Sequence, residues 1–513
     1  MTASRVGGSA SLLLCLSATF TWSTIAFAQP VAPAAPPTTA PAMPPDYVPA
    51  STTPVVIPPE LTRTSPTGLT ADQVATRAAQ TSFTARAAEA NLRGAAARVD
   101  AAWAAFLPRL TTTARYTRLS DFRVPSLSGG YNSLATTQAP TDPRAPVPVD
   151  VTKAVVAPPF SFPLVLDNYL LQANITVPIS DYFLRINQNY TAAVRSKDAY
   201  RFDAITAKAQ AASDGKMAYY TWLRARGSII VAVQALNDQK NHLRDAQNQF
   251  QAGNASRADV LRAETAVTAA ELTVERATNL MELSEKQMRV AMHANEGEVF
   301  VQGEALDTPM LPIVGNIKQL TLEALSTRFE VKSIDANAEA ARQQAAAQRA
   351  QYYPQVSAFA DGIYANPNPR KFPASPEWFP TWDLGAQIIW SPNDTLAARG
   401  LTADVESRAA ALAAQRGAVR DGIEIEVVQA YQAVKEADFS ISAGKRELAS
   451  AQEAYRVARE LFNNGRATST TLTDAETELT RARLDVLNAG IDARVARIRL
   501  DHALGRDAKP FTS

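Results

Sequence analysis

Two long stretches of the chain carry apolar residues at alternating spacings of three and four. In the second stretch these positions are Leu472, Ala475, Leu479, Ala482, Val486, Ala489, Ala493, Ala496, Leu500 and Ala503. In the first they are Val260, Ala263, Val267, Ala270, Val274, Ala277, Met281, Ser284, Met288 and Ala291. An average repeat of about 3.5 residues keeps one stripe of a helix facing a partner helix, so both stretches are predicted to be coiled-coil helices.

The two stretches are copies of each other. The pattern Phe-x-x-Gly-x-Ala that begins at Phe250 occurs again at Phe462, and Glu264 falls opposite Glu476 without a gap. One copy alone would equally suit an ordinary amphipathic core helix. Two copies in the same register favour the coiled coil, and they indicate an elongated architecture built from two similar halves.

Four shorter segments alternate between apolar and polar residues, which is the period of a β-strand. In each half the first segment follows a proline, Pro108 or Pro354, before which a helix is expected to end. The four predicted strands lie at about 109–119, 167–179, 355–365 and 381–391.

After each pair of strands the helical pattern returns, over about 183–250 and 396–462. Each of these stretches is close to 70 residues, which is about 100 Å of helix at 1.5 Å per residue. The remaining predicted helices are about half as long and cover 70–105, 256–292, 320–353 and 468–503. Two short helices are therefore predicted to stack end to end alongside one long helix, giving a rod with strands at one end.

Aromatic residues lie towards the ends of the apolar strand faces. Trp382 and Trp390 are eight residues apart, a spacing that matches the two aromatic girdles of a tilted outer-membrane strand of about ten residues. A soluble β-sandwich with one buried face is the alternative for the strands considered alone. The predicted girdle residues are Tyr116, Tyr169, Tyr364, Trp382 and Trp390.

The N-terminus has the features of a secretory signal. Arg5 precedes an apolar run at 10–20, and Ala26-Phe27-Ala28 forms a small-residue cleavage site, so residues 1–28 are predicted to be a signal peptide. The only cysteine, Cys15, lies in this run without the small residues that precede a lipidated cysteine, so lipidation is not expected. The mature chain would have no disulfide and no thiol nucleophile. Residues 29–66 are rich in Pro and Ala, which predicts a disordered tail.

The remaining composition argues against several classes of function. The 51 basic and 50 acidic residues nearly cancel, so nothing indicates a nucleic-acid partner. The sequence has no phosphate-binding glycine loop, no nucleophile elbow and no metal-spaced cluster, so no enzyme and no cofactor are expected. His242, His293 and His502 lie singly in helical stretches, which is more typical of surface or interface residues than of metal ligands.

The order of these features resembles the TolC family of outer-membrane efflux proteins over roughly 69–506. The features that carry the resemblance are helices ending at Pro108 and Pro354, strand exits at 177–181 and 390–394, and the phenylalanine-glycine turns. The resemblance implies a mainly α fold with membrane β: a long coiled-coil α-helical barrel continuous with a β-barrel, four strands per chain and twelve in a trimer. The implied segments are a first repeat at 67–300, a linker at 301–319, a second repeat at 320–507 and a tail at 508–513.

The function implied by the resemblance is a passive exit duct in the outer membrane of a Gram-negative bacterium, with the helical part in the periplasm. Its implied partners are outer-membrane lipid, a periplasmic adaptor and an inner-membrane transporter, as in tripartite efflux or type I secretion. Four strands are too few to close a barrel, and an open edge in lipid leaves backbone groups unsatisfied, so oligomerisation is expected on physical grounds. The number three comes from the resemblance. The alternative is a soluble periplasmic coiled-coil scaffold or adaptor.

The resemblance also places a periplasmic gate and adaptor-docking tips at the two turns. Ser256 with Asp259 is predicted to cap one helix, and Thr468 to cap the other. Asp259 matches an acidic position of the family, whereas Thr471 departs from it and Asp474 follows one turn later. The sequence therefore does not decide whether the entrance carries an acidic ring, since a role as a helix cap is enough to explain Asp259. The predicted tip residues are Gly253, Asn254, Ala255, Arg257, Asp259, Gly465, Arg466, Ala467, Thr471 and Asp474.

Overall fold

The computed structural model of the protein describes residues 63, 65–121, 131–133, 155–156 and 165–511. The predicted signal peptide, most of the predicted tail at 29–66 and most of the connection after the first strand lie outside these ranges. Within them, no helix combines the length and the apolar character needed to cross a membrane.

The described chain is mainly helical. Its long helices contain 65 and 72 residues, or about 98 and 108 Å at 1.5 Å per residue. The principal helices are α1 (Ala71–Thr81), α2 (Phe83–Ala104), α3 (Asn187–Gln251), α4 (Arg257–Met292), α5 (Ile317–Thr327), α6 (Phe329–Arg349), α7 (Pro392–Asn463) and α8 (Ser469–Ala503). Short helical turns occur at Ile179–Asp181, Tyr182–Ile186, Ala350–Tyr352 and Lys509–Phe511.

The shorter helices pack along the two long helices. Helices α1, α2 and α4 pack along α3, whereas α5, α6 and α8 pack along α7. Helices α6 and α8 also contact α3, and this contact joins the two halves. The predicted stacking of short helices beside a long one is therefore present in both halves.

Two of the predicted short helices, 70–105 and 320–353, are each interrupted within their first half, and this part of the prediction was wrong. Ser82 and Arg328 have extended ψ angles of 131° and 127°, which separate α1 from α2 and α5 from α6. Each break lies where a helix of the same half ends. There the Thr81 hydroxyl donates to the Met292 carbonyl at 3.0 Å, and the Thr327 hydroxyl donates to the Leu504 carbonyl at 2.5 Å. The breaks thus let short polar side chains cap a neighbouring helix.

The starts of the first helices in each half are fixed by capping boxes. Thr70 accepts from the Gln73 amide at 3.3 Å and the Gln73 side chain accepts from the Thr70 amide at 3.2 Å, so the two residues form a capping box. In the second half the same arrangement uses Asn316 and Gln319. Helix α5 consequently begins at Ile317, within the segment 301–319 that the sequence predicted to be a linker.

Four long strands form one antiparallel sheet at one end of the helices. They are β1 (Arg109–Arg118), β4 (Asp167–Val177), β5 (Gln355–Asn366) and β6 (Phe379–Ile389), in the order β1-β4-β5-β6. Strands β2 (Tyr131–Ser133) and β3 (Val155–Val156) form a separate two-stranded ribbon. Within the described part of the chain, β1 and β6 are the open edges of the larger sheet.

The register of the sheet collects the apolar side chains on one face. Leu110 lies opposite Ile175, and Gly362 lies opposite Trp382. This apolar face is exposed, with Trp382 81% accessible, while polar residues such as Asn174 and Gln172 occupy the other face. A soluble sandwich would bury its apolar face instead, so the exposure favours a sheet that faces lipid.

The predicted coiled-coil seams form the core of the rod. In α8 every seam position is buried except Ala475, which is half-buried, and in α4 each position is buried or half-buried. One of the core clusters packs Trp222, Tyr219 and Leu223 of α3 against Met288 and Met292 of α4. Burying one such side chain stabilises the fold by about 1.5–3 kcal/mol, so these contacts contribute substantially to helix association.

Candidate functional site

Each half of the molecule ends in a tight turn between a long helix and a short one. The first tip, residues 252–256, follows α3, and the second tip, residues 464–468, follows α7. In the first tip the Gly253 amide donates to the Phe250 carbonyl at 3.0 Å, and in the second the Gly465 amide donates to the Phe462 carbonyl at 2.9 Å. Both glycines have positive φ, +79° and +67°, which a side chain would strain. The sequence repeat is thus also a repeat of backbone geometry.

The helices that leave the tips are capped differently. The Asp259 carboxylate accepts from the Ser256 hydroxyl at 2.6 Å, from the Ser256 amide at 3.0 Å and from Arg262 at 3.0 Å. The hydrogen bonds from Ser256 lower the pKa of Asp259 below its usual range. At the second tip Thr468 accepts from the Thr471 amide at 3.3 Å. Both predicted caps are present, and only the first includes a charge.

The other predicted tip residues surround these turns. Ala255 and Ala467 are half-buried, whereas Asn254, Arg257, Arg466, Thr471 and Asp474 are exposed. Among the described residues no carboxylate forms an ion pair with either exposed arginine. The two tips lie side by side, and just before them the Gln249 side-chain amide donates to the Asn463 backbone carbonyl at 3.1 Å. Beneath them Phe462 and Leu472 of the second half pack with Ala246 and Ala263 of the first.

A buried polar cluster behind the tips was not foreseen from the sequence. His242 Nδ1 lies 3.1 Å from Glu476 Oε2, and His242 Nε2 lies 3.2 Å from Ser469 Oγ. Of the two expected settings, a surface position is wrong for His242, because α8 packs across this face of α3 and buries the ring. The repeat could not reveal the cluster, since Glu264, the counterpart of Glu476, is exposed.

The predicted girdle residues fall at two levels of the sheet. Tyr116 and Tyr169 are 5.1 Å apart between ring centroids, at the end of the sheet away from the helices. Trp378 precedes β6 and so was not among the predicted girdle residues, but its ring centroid lies 4.9 Å from that of Tyr364 and 5.8 Å from that of Tyr169. Trp382 lies on the same face opposite Gly362, one residue pair of that face nearer the helices than Tyr364. Trp390 follows β6 at the helix end and is exposed.

The part of the chain that the structure describes has no candidate metal centre beside these sites. Within the described ranges no group of three His, Cys, Asp or Glu residues could hold a metal ion. What the arrangement offers instead is a helical rod with two adjoining turns at one end and, at the other, a sheet whose apolar face and both edges are open.

Comparison with known proteins agrees with this architecture. The model of the outer membrane efflux protein family matches residues 74–292 and 320–506. The solved outer-membrane channel OprN is 18% identical, with a TM-score of 0.67 and coverage of 90% of this chain and 98% of that chain. No curated protein matched the sequence.

Two further solved structures have the same fold. One is CusC, whose structures were reported with the conformational changes that accompany folding and transmembrane channel formation. It is 17% identical to this chain with a TM-score of 0.69, and the match covers 92% of this chain and 99% of that chain. The outer-membrane protein VceC of Vibrio cholerae is 18% identical with a TM-score of 0.66, and the match covers 85% of this chain and 96% of that chain. Because the family model spans most of the sequence in both halves, the chain belongs to the outer membrane efflux protein family and is an outer-membrane efflux channel, not an enzyme.

Proposed function

We propose that three copies of this chain form one outer-membrane duct whose helical part lies in the periplasm. Substrate would enter at the tips from an inner-membrane transporter and a periplasmic adaptor, and would leave passively through the sheet end. The observation that carries the proposal is the pair of open strand edges beside an exposed apolar face.

The strand edges require a partner in lipid. An unpaired backbone amide or carbonyl in hydrocarbon costs several kcal/mol, so β1 and β6 are not stable there as edges. Pairing β6 of one copy with β1 of the next satisfies both edges and continues the antiparallel order. Three copies of the four strands then give a closed barrel of twelve, the number that the family resemblance implies.

Rows of exposed apolar residues on α4 and α7 support the same assembly. On α4 the residues Leu261, Leu272 and Leu283 recur every eleven positions, which is about three helical turns, and so lie on one face. On α7, Ile425 and Phe439 are exposed on a face that no described helix covers. Because α4 packs mainly on α3 and α7 on α6 and α8, these rows lie on different flanks of the protomer. We assign them to contacts between neighbouring copies.

The gate and the adaptor-docking surface belong to the two tips in this proposal. Gly253 and Gly465 set the turns, while Arg257, Arg466 and Asp474 leave charged groups free for a partner. The buried His242 cluster ties the two hairpins together just behind the entrance. A shift between two packings of these hairpins would open the entrance, and it needs only a few kcal/mol of bias from a partner.

The proposal is tested by the native mass of the mature protein extracted from isolated outer membranes in mild detergent. A complex of three chains that also forms ion-conducting channels in planar bilayers is the expected result. A monomer confined to the soluble periplasmic fraction would overturn the duct assembly and would favour a periplasmic scaffold. A dimer or tetramer in the membrane fraction would retain the duct and refute the number three.

A further inference from the structure

Two carboxylates on the polar face of the sheet lie directly opposite each other. Asp361 of β5 pairs in register with Asp383 of β6, an arrangement in which like charges repel. Arg370 resolves the conflict, because its Nη2 lies 3.2 Å from Asp361 Oδ2 and 2.8 Å from Asp383 Oδ1. Gln172 of β4 donates to Asp361 Oδ1 at 2.8 Å, so the cluster spans three strands.

Arg370 belongs to the loop at 367–378 that joins β5 to β6. Asn368 fixes the base of this loop: its side-chain amide donates to the Phe379 carbonyl at 2.7 Å, and its side-chain oxygen accepts from the Arg370 amide at 2.8 Å. Asn368 is buried and Asp361 is only 8% exposed. The loop is therefore folded back so that the Arg370 guanidinium lies on the polar face of the sheet.

The polar face is the inner wall of the duct if the apolar face contacts lipid, as the proposed function requires. We propose that Arg370 sets the ion preference at the outer end of the duct by neutralising one of the two carboxylates in each protomer. The inference rests on the trimeric duct proposed above. It assigns to this loop residue a specificity role that is separate from the gate at the tips.

The charge balance gives the direction of the effect. Each cluster holds one guanidinium and two carboxylates, a net charge of one negative per protomer. Removing Arg370 leaves two negative charges per protomer in this cluster, and rings of carboxylates favour cations in a narrow pore. Charges on the inner wall act over a Debye length of about 8 Å at physiological salt, so they influence ions that pass near the wall.

The test is the reversal potential of single channels in a KCl gradient across a planar bilayer. Arg370→Ala is expected to raise the permeability ratio of K⁺ over Cl⁻ by about twofold or more. Arg370→Lys keeps the charge and should stay near the wild-type ratio. Lys371→Ala is the matched control, because it removes the same charge from the same loop, where Lys371 pairs with Glu377 at 3.1 Å at an exposed position.

A second variant separates a change of charge from a damaged fold. Arg370→Ala combined with Asp383→Asn restores one negative charge per protomer and should return the ratio towards the wild-type value. Conducting trimers in which Arg370→Ala and Lys371→Ala give the same ratio as the wild type would overturn the inference. Failure of the wild-type protein to form channels would instead refute the proposed function, so the two failures are distinguishable.

Discussion

His242 and Glu476 lie 234 positions apart in the sequence, yet His242 Nδ1 and Glu476 Oε2 are 3.1 Å apart in a site closed to solvent. The side chains are 0% and 3% exposed, and Ser469 satisfies the other ring nitrogen. A buried carboxylate is tolerated only where it has such partners. The pair therefore fixes how α3 of one hairpin lies against α8 of the other, immediately behind the tips.

Replacing Glu476 by Ala is expected to loosen the closed entrance. Removing Glu476 leaves a buried nitrogen of the His242 ring without its partner, which costs about 1–3 kcal/mol locally and is comparable to the few kcal/mol that separate two packings. Single-channel recordings should show more frequent openings and a larger conductance than the wild type. Glu264→Ala is the control, since Glu264 occupies the same position in the other repeat but is exposed. Equal behaviour of the two variants would remove the His242 cluster from the gate.

The Asp474 carboxylate is expected to contribute to block by multivalent cations at the periplasmic entrance. Asp474 is exposed at the second tip, whereas the Asp259 carboxylate already accepts hydrogen bonds from Ser256 and Arg262. Asp474→Asn should weaken block by a trivalent cation by about threefold or more in bilayer recordings, and Asp259→Asn should change it less. An unchanged block in Asp474→Asn would exclude this residue from the entrance.

The first turn of α4 is expected to lose stability at acidic pH. The hydrogen bonds from Ser256 lower the pKa of Asp259, so the folded state favours the charged carboxylate. This stabilisation is complete above the ordinary aspartate pKa of about 3.9 and disappears as the pH falls through the lower folded value. Hydrogen-exchange protection of the α4 first turn should therefore fall in acid.

The same molecule supplies the reference for this measurement. The first turn of α8 has Thr471 at the position of Asp259 and should show no matching loss of protection between neutral pH and pH 3. Ser256→Ala should cost about 1 kcal/mol at neutral pH, or roughly a fivefold fall in protection of the α4 turn. A parallel pH response in both turns would show that Asp259 is not its source.

Two arginines near the helix breaks are expected to differ strongly in their effect on stability. Arg328 is 11% exposed and donates to Glu330, to Glu426 and to the carbonyls at the end of α8, whereas the Arg77–Glu298 pair is about one-third exposed on both sides. Arg328→Ala should destabilise the fold by about 3 kcal/mol, and Arg77→Ala by less than about 1 kcal/mol. Thermal unfolding followed by circular dichroism compares the two. Equal shifts in the midpoint would contradict this ranking.

Local patterns were sufficient for most of the architecture. Pro108 and Pro354 end helices, Gly253 and Gly465 form the turns after the long helices, and the capping residues lie three positions from their partners. Each signal acts within one turn of chain, so it can be interpreted without knowledge of the fold. The family resemblance depended on the order of these signals and was confirmed by the match to the outer membrane efflux protein family.

Features that depend on distant partners could not be inferred in the same way. The breaks at Ser82 and Arg328 place Thr81 and Thr327 against helix ends 211 and 177 positions away. The return of Arg370 onto the sheet likewise depends on carboxylates that the strand register brings together. These residues fit the apolar and polar pattern of the chain around them, so the pattern gives no sign of their distant contacts.

The sequence by itself determined the repeat, the helix and strand periods, the turns and the caps, because each follows from backbone conformation and spacing along one element. Only the tertiary structure decided that Glu476 is buried while Glu264 is exposed. The two residues occupy equivalent positions in equivalent helices, but α8 packs against α3 and α7, whereas α4 packs mainly on α3. Burial depends on the number of neighbouring helices, and a repeat within one chain does not encode that number.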